Sequence, residues 1–134
     1  MNDNKPIKPN DFGLAHLNFV TNHTRPDACI INHEDRSCVL VEVSVPFDSF
    51  VQSCHSDKFY KYLPLCQEIS ELGYTCRVFV FVVGSLGTVH TKLVPGLKRL
   101  GISAVRAKAI ARYCSVSAMI GSKQIWQYRC RRTN

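Results

Sequence analysis

Hydrophobic and polar positions alternate in ways that predict four strands, one of them very short, and several helices. Ala28–Asn32 is a short apolar run that begins just after Thr24-Arg25-Pro26-Asp27, as expected of a strand entered past a proline. Ser37–Pro46 (SCVLVEVSVP) is β-branched and period-two, with Pro46 ending it. Side chains alternate along a strand, so Leu40, Glu42 and Ser44 share one face and Val39, Val41, Val43 and Val45 share the other. The polar NHEDR turn between the two runs predicts a hairpin. Asp48–Leu72 reads as helix in two pieces, bent near Tyr62–Pro64, with Gly73 as its left-handed stop. Tyr74–Val83 (YTCRVFVFVV) is nearly continuous and apolar, the pattern of a central strand covered on both faces.

Farther on, Gly84–Gly87 reads as a loop. Thr88–Leu100 is a helix interrupted by Pro95-Gly96. Ser103 caps a helix over Ala104–Cys114, whose Ala107, Ile110, Ala111 and Cys114 share a face. Ser115–Tyr128 gives no clear period, and 129–134 (RCRRTN) reads as a loose tail. At the other end, 1–16 read as a flexible leader holding Pro6 and Pro9, and Leu17–Val20 as a short strand. A strand reached through a helix runs parallel to the one before it. The order therefore predicts an α/β fold over 17–134: a small mixed sheet flanked by helices, with a basic helical part over about 88–134.

Length agrees, since 134 residues suffice for one modest core. The net charge of +7 is unevenly placed. Residues 1–72 hold six Lys/Arg and ten Asp/Glu, a net of −4; residues 73–134 hold eleven Lys/Arg and no acid, a net of +11. That split suggests a carboxylate site beside a polyanion-binding surface. The longest apolar stretch, Val78–Val83, is far below the ~20 residues that span a bilayer, so no membrane partner is expected. Seven cysteines form no CxxC pair and read as reduced, mostly buried thiols rather than a zinc site. The five histidines (16, 23, 33, 55, 90) are scattered and read mostly as surface residues. Trp126 reads as core, its alternative being base stacking beside Arg129, Arg131 and Arg132.

The chemistry-bearing positions are few. Asp27 precedes one strand of the predicted hairpin and Glu42 sits within the other, so one divalent cation could bridge them. Such a cation polarises a phosphate oxygen and acidifies a bound water. A lysine that orients the nucleophile or neutralises developing charge completes the set. Lys58 and Lys61, one turn apart on the next helix, can supply it.

RPD at 25–27, EVSVP at 42–46 and KFYKY at 58–62, in that order, resemble the restriction-enzyme-like endonuclease domain of non-LTR retrotransposons, a branch of the PD-(D/E)xK nucleases. GSLGTVHTKL and GISAVRAKAIARYC resemble the segment C-terminal to that domain in those elements, so the likeness covers roughly residues 24–132. It implies a restriction-endonuclease-like core and Mg²⁺- or Mn²⁺-dependent nicking of DNA to prime reverse transcription. Asp27, Glu42 and the Val43 carbonyl would hold the metal. Lys58, with Lys61 second, would be the lysine displaced onto the helix. Arg25 and Tyr62 would contact DNA, Tyr62 alternatively positioning its helix, and Lys98, Arg99, Arg106, Lys108 and Arg112 would hold the duplex. DNA, the element's RNA and its reverse transcriptase are the implied partners, in the nucleus. The superfamily core opens with a helix for which 1–16 offer no candidate. This favours a second reading, a catalytically silent nucleic-acid-binding module that keeps the fold. Divalent-dependent nicking separates the two.

Overall fold

A computed structural model describes residues 25–132; the leader over 1–16, the strand at Leu17–Val20, His16 and His23 lie outside them. Three strands form one sheet in the order β1-β2-β3: β1 (Ala28–Asn32), β2 (Ser37–Ser44) and β3 (Thr75–Val82). β1 and β2 are an antiparallel hairpin with Ala28 opposite Val41 and Asn32 opposite Ser37. Asn32 builds the turn, its side-chain oxygen accepting from the Glu34 and Asp35 amides. Thr75 N–H donates to the Arg36 carbonyl and Val83 N–H to that of Ser44, a constant offset that makes β2 and β3 parallel. The fold is thus α/β with a mixed sheet, as the pattern predicts.

Two expectations are corrected. β3 lies at the sheet edge and β2 at its centre among the described residues. The apolar run of β3 carries no information about which side a neighbour takes. The helix before β3 is also one piece: α1 (Val51–Glu71) runs through Pro64, preceded by a short 3-10 turn at Asp48–Phe50. Pro64 is exposed, while Tyr62, Leu65, Cys66 and Ile69 are buried around it. Their packing holds the helix across the one backbone bond proline cannot make. Gly73 ends α1 with φ +86°, a conformation only glycine adopts cheaply.

The chain divides into two compact units. The first comprises 25–43 and 57–80 of the described residues. Its core joins Cys38 and Leu40 of β2 to Tyr62, Leu65, Cys66 and Ile69 of α1, with Cys29, Ile31, Tyr74, Cys76 and Val78 half-buried against them. On β2 it is Cys38, Leu40 and Glu42 that are buried, whereas Val43 is exposed. A glutamate therefore sits on the core face and the valine face is the more open one.

The second unit comprises 44–56 and 81–132. Asp48 organises its loop, its carboxylate accepting from the Leu86 amide at 2.6 Å and the Thr88 amide at 2.8 Å. Bonds with Thr88 and Leu86 hold that carboxyl below the usual range. Gly84 is required there, because a Cβ would come within 2.6 Å of the Asp48 carboxylate. α2 (Leu93–Arg99) packs on α3 (Ala104–Arg132). Pro95 falls in the first turn of α2, where no helical N–H is needed, so the helix starts at Leu93 rather than being interrupted. Ser103 accepts from the Arg106 amide at 3.3 Å, the expected cap. α3 does not stop at Cys114: it continues through 115–128 and the tail to Arg132.

His55 and His90 correct the surface expectation. Both are buried, and their rings stack in parallel with centroids 3.9 Å apart. The Lys92 amide donates to His90 Nδ1 at 3.1 Å. Burial, then the neighbouring charges of His90 and Lys92, hold His55 down at about 4; burial and Lys92 lower His90 too. No helix is long and apolar enough to cross a membrane among the described residues.

Candidate active site

Glu42 is the one buried acidic residue among the described residues, at 5% exposure. The alternation of β2 delivers it to the α1 side of the sheet, one position beyond Leu40 on that face. An ionised carboxylate in such a place needs partners for both oxygens. It has them. Lys58 Nζ donates to Oε1 at 2.5 Å, and the Tyr62 hydroxyl lies 2.9 Å from Oε2. Lys58 and Tyr62 are four residues apart on α1, so both side chains descend on Glu42 from one helical face. Lys58 stays partly exposed, its side chain at 32%. It therefore joins the buried carboxylate to solvent.

Tyr62 ties a third segment into the cluster. Its fully buried hydroxyl also lies 2.8 Å from the Arg25 carbonyl, just ahead of β1. Burial, then the Glu42 bond and the negative charges of Glu42 and Asp27, push the phenol well up, so it stays a hydrogen-bond donor. The expectation that Tyr62 contacts DNA is thereby corrected. A fully buried side chain offers a strand no surface, and Tyr62 positions Glu42 and the entry to β1 instead.

Asp27 completes the arrangement from the hairpin. One step beyond the Ala28–Val41 pair, the register sets it across from Glu42. Its Oδ2 accepts from the Val43 amide at 2.7 Å, which fixes the carboxylate against the strand carrying Glu42. Asp27 is exposed where Glu42 is buried. Two acids of opposite exposure, a lysine reaching solvent and a positioning phenol thus share one end of the hairpin.

The fit to a hard cation can be tested on these donors. Asp27 keeps its Oδ1 without a hydrogen bond among the described residues, and Val43 lies beside it across the hairpin. Glu42 would bind metal by exchanging or sharing an oxygen that Lys58 or Tyr62 holds. Among the described residues no three His, Cys, Asp or Glu side chains converge as ligands, so a metal here would depend on backbone carbonyl, water and phosphate oxygens. Magnesium, which keeps several waters and takes one or two carboxylates, suits that donor set.

The other predicted residues stand apart from Glu42. Lys61 is exposed and makes no bond to it; its ammonium lies 5.0 Å from the centroid of the Tyr62 ring. Arg25 is exposed, and only its carbonyl is tied down by Tyr62. Lys98 and Arg99 form the last turn of α2, while Arg106, Lys108 and Arg112 are exposed on α3, all in the second unit. The stacked His55–His90 pair and the Asp48 clamp escape sequence reading because their partners are 35 and about 40 residues away. No family model, curated protein or solved structure matches this chain.

Proposed function

We propose that the chain is a metal-dependent DNA endonuclease domain with a restriction-endonuclease-like core. The observation that carries this reading is Glu42, a buried carboxylate held between Lys58 and Tyr62 with Asp27 fixed across the hairpin. Asp27, Glu42 and the Val43 carbonyl would hold Mg²⁺ or Mn²⁺. When bound, the ion would polarise the scissile phosphate and lower the pKa of a coordinated water. Tyr62 would keep Glu42 oriented. Lys58, released in part from Glu42, would face the phosphate and neutralise the charge that develops on it. Lys61 and Arg25 would meet flanking phosphates, and Lys98, Arg99, Arg106, Lys108 and Arg112 would contact the duplex backbone without reading sequence. Nicking would leave the end from which a reverse transcriptase extends, with the element's RNA as template, in the nucleus.

A second reading, a silent binding module, is favoured by one feature: both Glu42 oxygens are already engaged within the protein. Supercoiled plasmid with Mg²⁺ or Mn²⁺ separates the two. Wild type is expected to nick, EDTA to abolish nicking, and Asp27→Ala and Lys58→Ala to lose it at least about a hundredfold. A folded wild type that binds DNA but does not nick would establish the silent module.

A further inference from the structure

The last ten positions of α3 have no place in the site above. Ser115 and Ser122 fasten the helix to the loop before α2, their hydroxyls donating to the Gly87 and Ser85 carbonyls at 2.6 Å each. Beyond Ser122 every residue of 123–132 is exposed. At 1.5 Å per residue this is about 15 Å of exposed helix. Trp126 is 67% exposed and Tyr128 58%, so the core expectation for the tryptophan is overturned. A basic last turn is explained by the helix dipole alone, because cations are favoured at a C-terminus. Two large aromatics held in water are not.

We infer that residues 123–132 are a binding arm for single-stranded nucleic acid, with Trp126 and Tyr128 as stacking platforms for bases and Arg129, Arg131 and Arg132 gripping phosphates. Charge complementarity comes first: residues 73–134 carry eleven cations and no acid, and four of those cations lie on the arm. The arrangement narrows the partner further. Ile125, Tyr128 and Arg132 follow i, i+3, i+7 spacing along one stripe, and Arg132 lies 4.7 Å from the centroid of the Tyr128 ring. Trp126 and Arg129 form the stripe beside it. Arginines are thus interleaved with aromatics on one side of the helix. A membrane-surface helix separates its basic and apolar faces, and a helix seated in a protein groove presents an unbroken apolar stripe. Interleaved aromatics and arginines are the pattern that holds unpaired strands. A duplex keeps its bases stacked on one another, so it cannot use the aromatic rings. The inference names the strandedness of one partner of the proposed nuclease, but its residues are separate from that site.

Trp126 is the single tryptophan of the chain, so its emission reports on the arm directly. The full chain would be titrated with a short oligothymidylate, a duplex of equal length, inorganic polyphosphate, and phosphatidylserine vesicles. Quenching by the oligothymidylate, well beyond that by duplex or polyphosphate, is expected. Trp126→Ala and Tyr128→Ala should each weaken binding of the labelled oligonucleotide at least about fivefold, with helicity by circular dichroism unchanged. Unchanged affinity in the two variants, no quenching, or a blue shift with vesicles matching the oligonucleotide response would overturn the inference. Plasmid nicking keeps the two readings apart. Nicking without quenching overturns the arm alone, and quenching without nicking supports the arm while removing the nuclease.

Discussion

At the scale of single residues, Tyr62 and the histidine pair bear the most consequence. Tyr62 is fully buried, and its hydroxyl faces two acceptors, the Arg25 carbonyl and Glu42 Oε2. Tyr62→Phe keeps the ring and its packing and removes that donor. The variant should unfold at lower urea, by about 1–3 kcal/mol, because buried acceptors are left unsatisfied. An unchanged midpoint would mean that the hydroxyl holds neither partner. His55 titrates at about 4 in the fold and near 6.5 in the unfolded chain, so the unfolded state binds the extra proton first as pH falls. Stability is therefore complete above about pH 6.5 and declines between there and pH 4, by at most ~1.4 kcal/mol per pH unit from this residue. His55→Phe, which preserves a ring for stacking on His90, should flatten that decline in urea titrations across the window.

Elements show what the sequence discloses and what it hides. β1, β2 and β3 are legible because apolar or alternating runs are bounded by turn residues with local mechanisms, the Asn32 side chain and the positive φ of Gly73. Lys58 and Tyr62 converging on Glu42 is half-legible: spacing puts both on one helical face, but only the packing of α1 shows that face meeting β2. The length of α3 is hidden for a physical reason. The helix covers a stripe at 107, 110, 111, 114, 115, 118, 121 and 122, but past Cys114 that stripe is Ser115, Ala118, Gly121 and Ser122, too small and polar to set a hydrophobic period. α1 carries the opposite lesson, since Pro64 suggests a break that tertiary packing overrides. Proline inside a helix costs roughly 3 kcal/mol relative to alanine. Pro64→Ala, at an exposed position, should therefore raise unfolding free energy by about 1–3 kcal/mol. A loss of stability instead would show that the proline sets a local bend on which the Tyr62–Glu42 contact depends.

For the whole molecule, the charge split of the sequence becomes a split between the two units. Among the described residues, the first holds five Lys/Arg and seven Asp/Glu, a net of −2, and contains Asp27, Glu42 and Lys58. The second holds ten Lys/Arg and one acid, Asp48, a net of +9. Asp48 keeps its charge but is held by the Leu86 and Thr88 amides, and it is the single acid of this unit among the described residues against ten cations. The proposed chemistry and the proposed polyanion contacts thus use residues from different units, so a variant can test either one alone. Duplex DNA binding should then be sequence-independent and steeply salt-dependent. With the five cations at Lys98, Arg99, Arg106, Lys108 and Arg112 each meeting a phosphate, log K should fall with log salt at a slope of about −4 to −5. Arg106→Gln and Lys108→Gln should each reduce the slope by about one, equally on unrelated sequences, while Asp27→Ala leaves the slope intact. A slope unmoved by the helix variants would place the phosphate contacts elsewhere and take the duplex from the second unit.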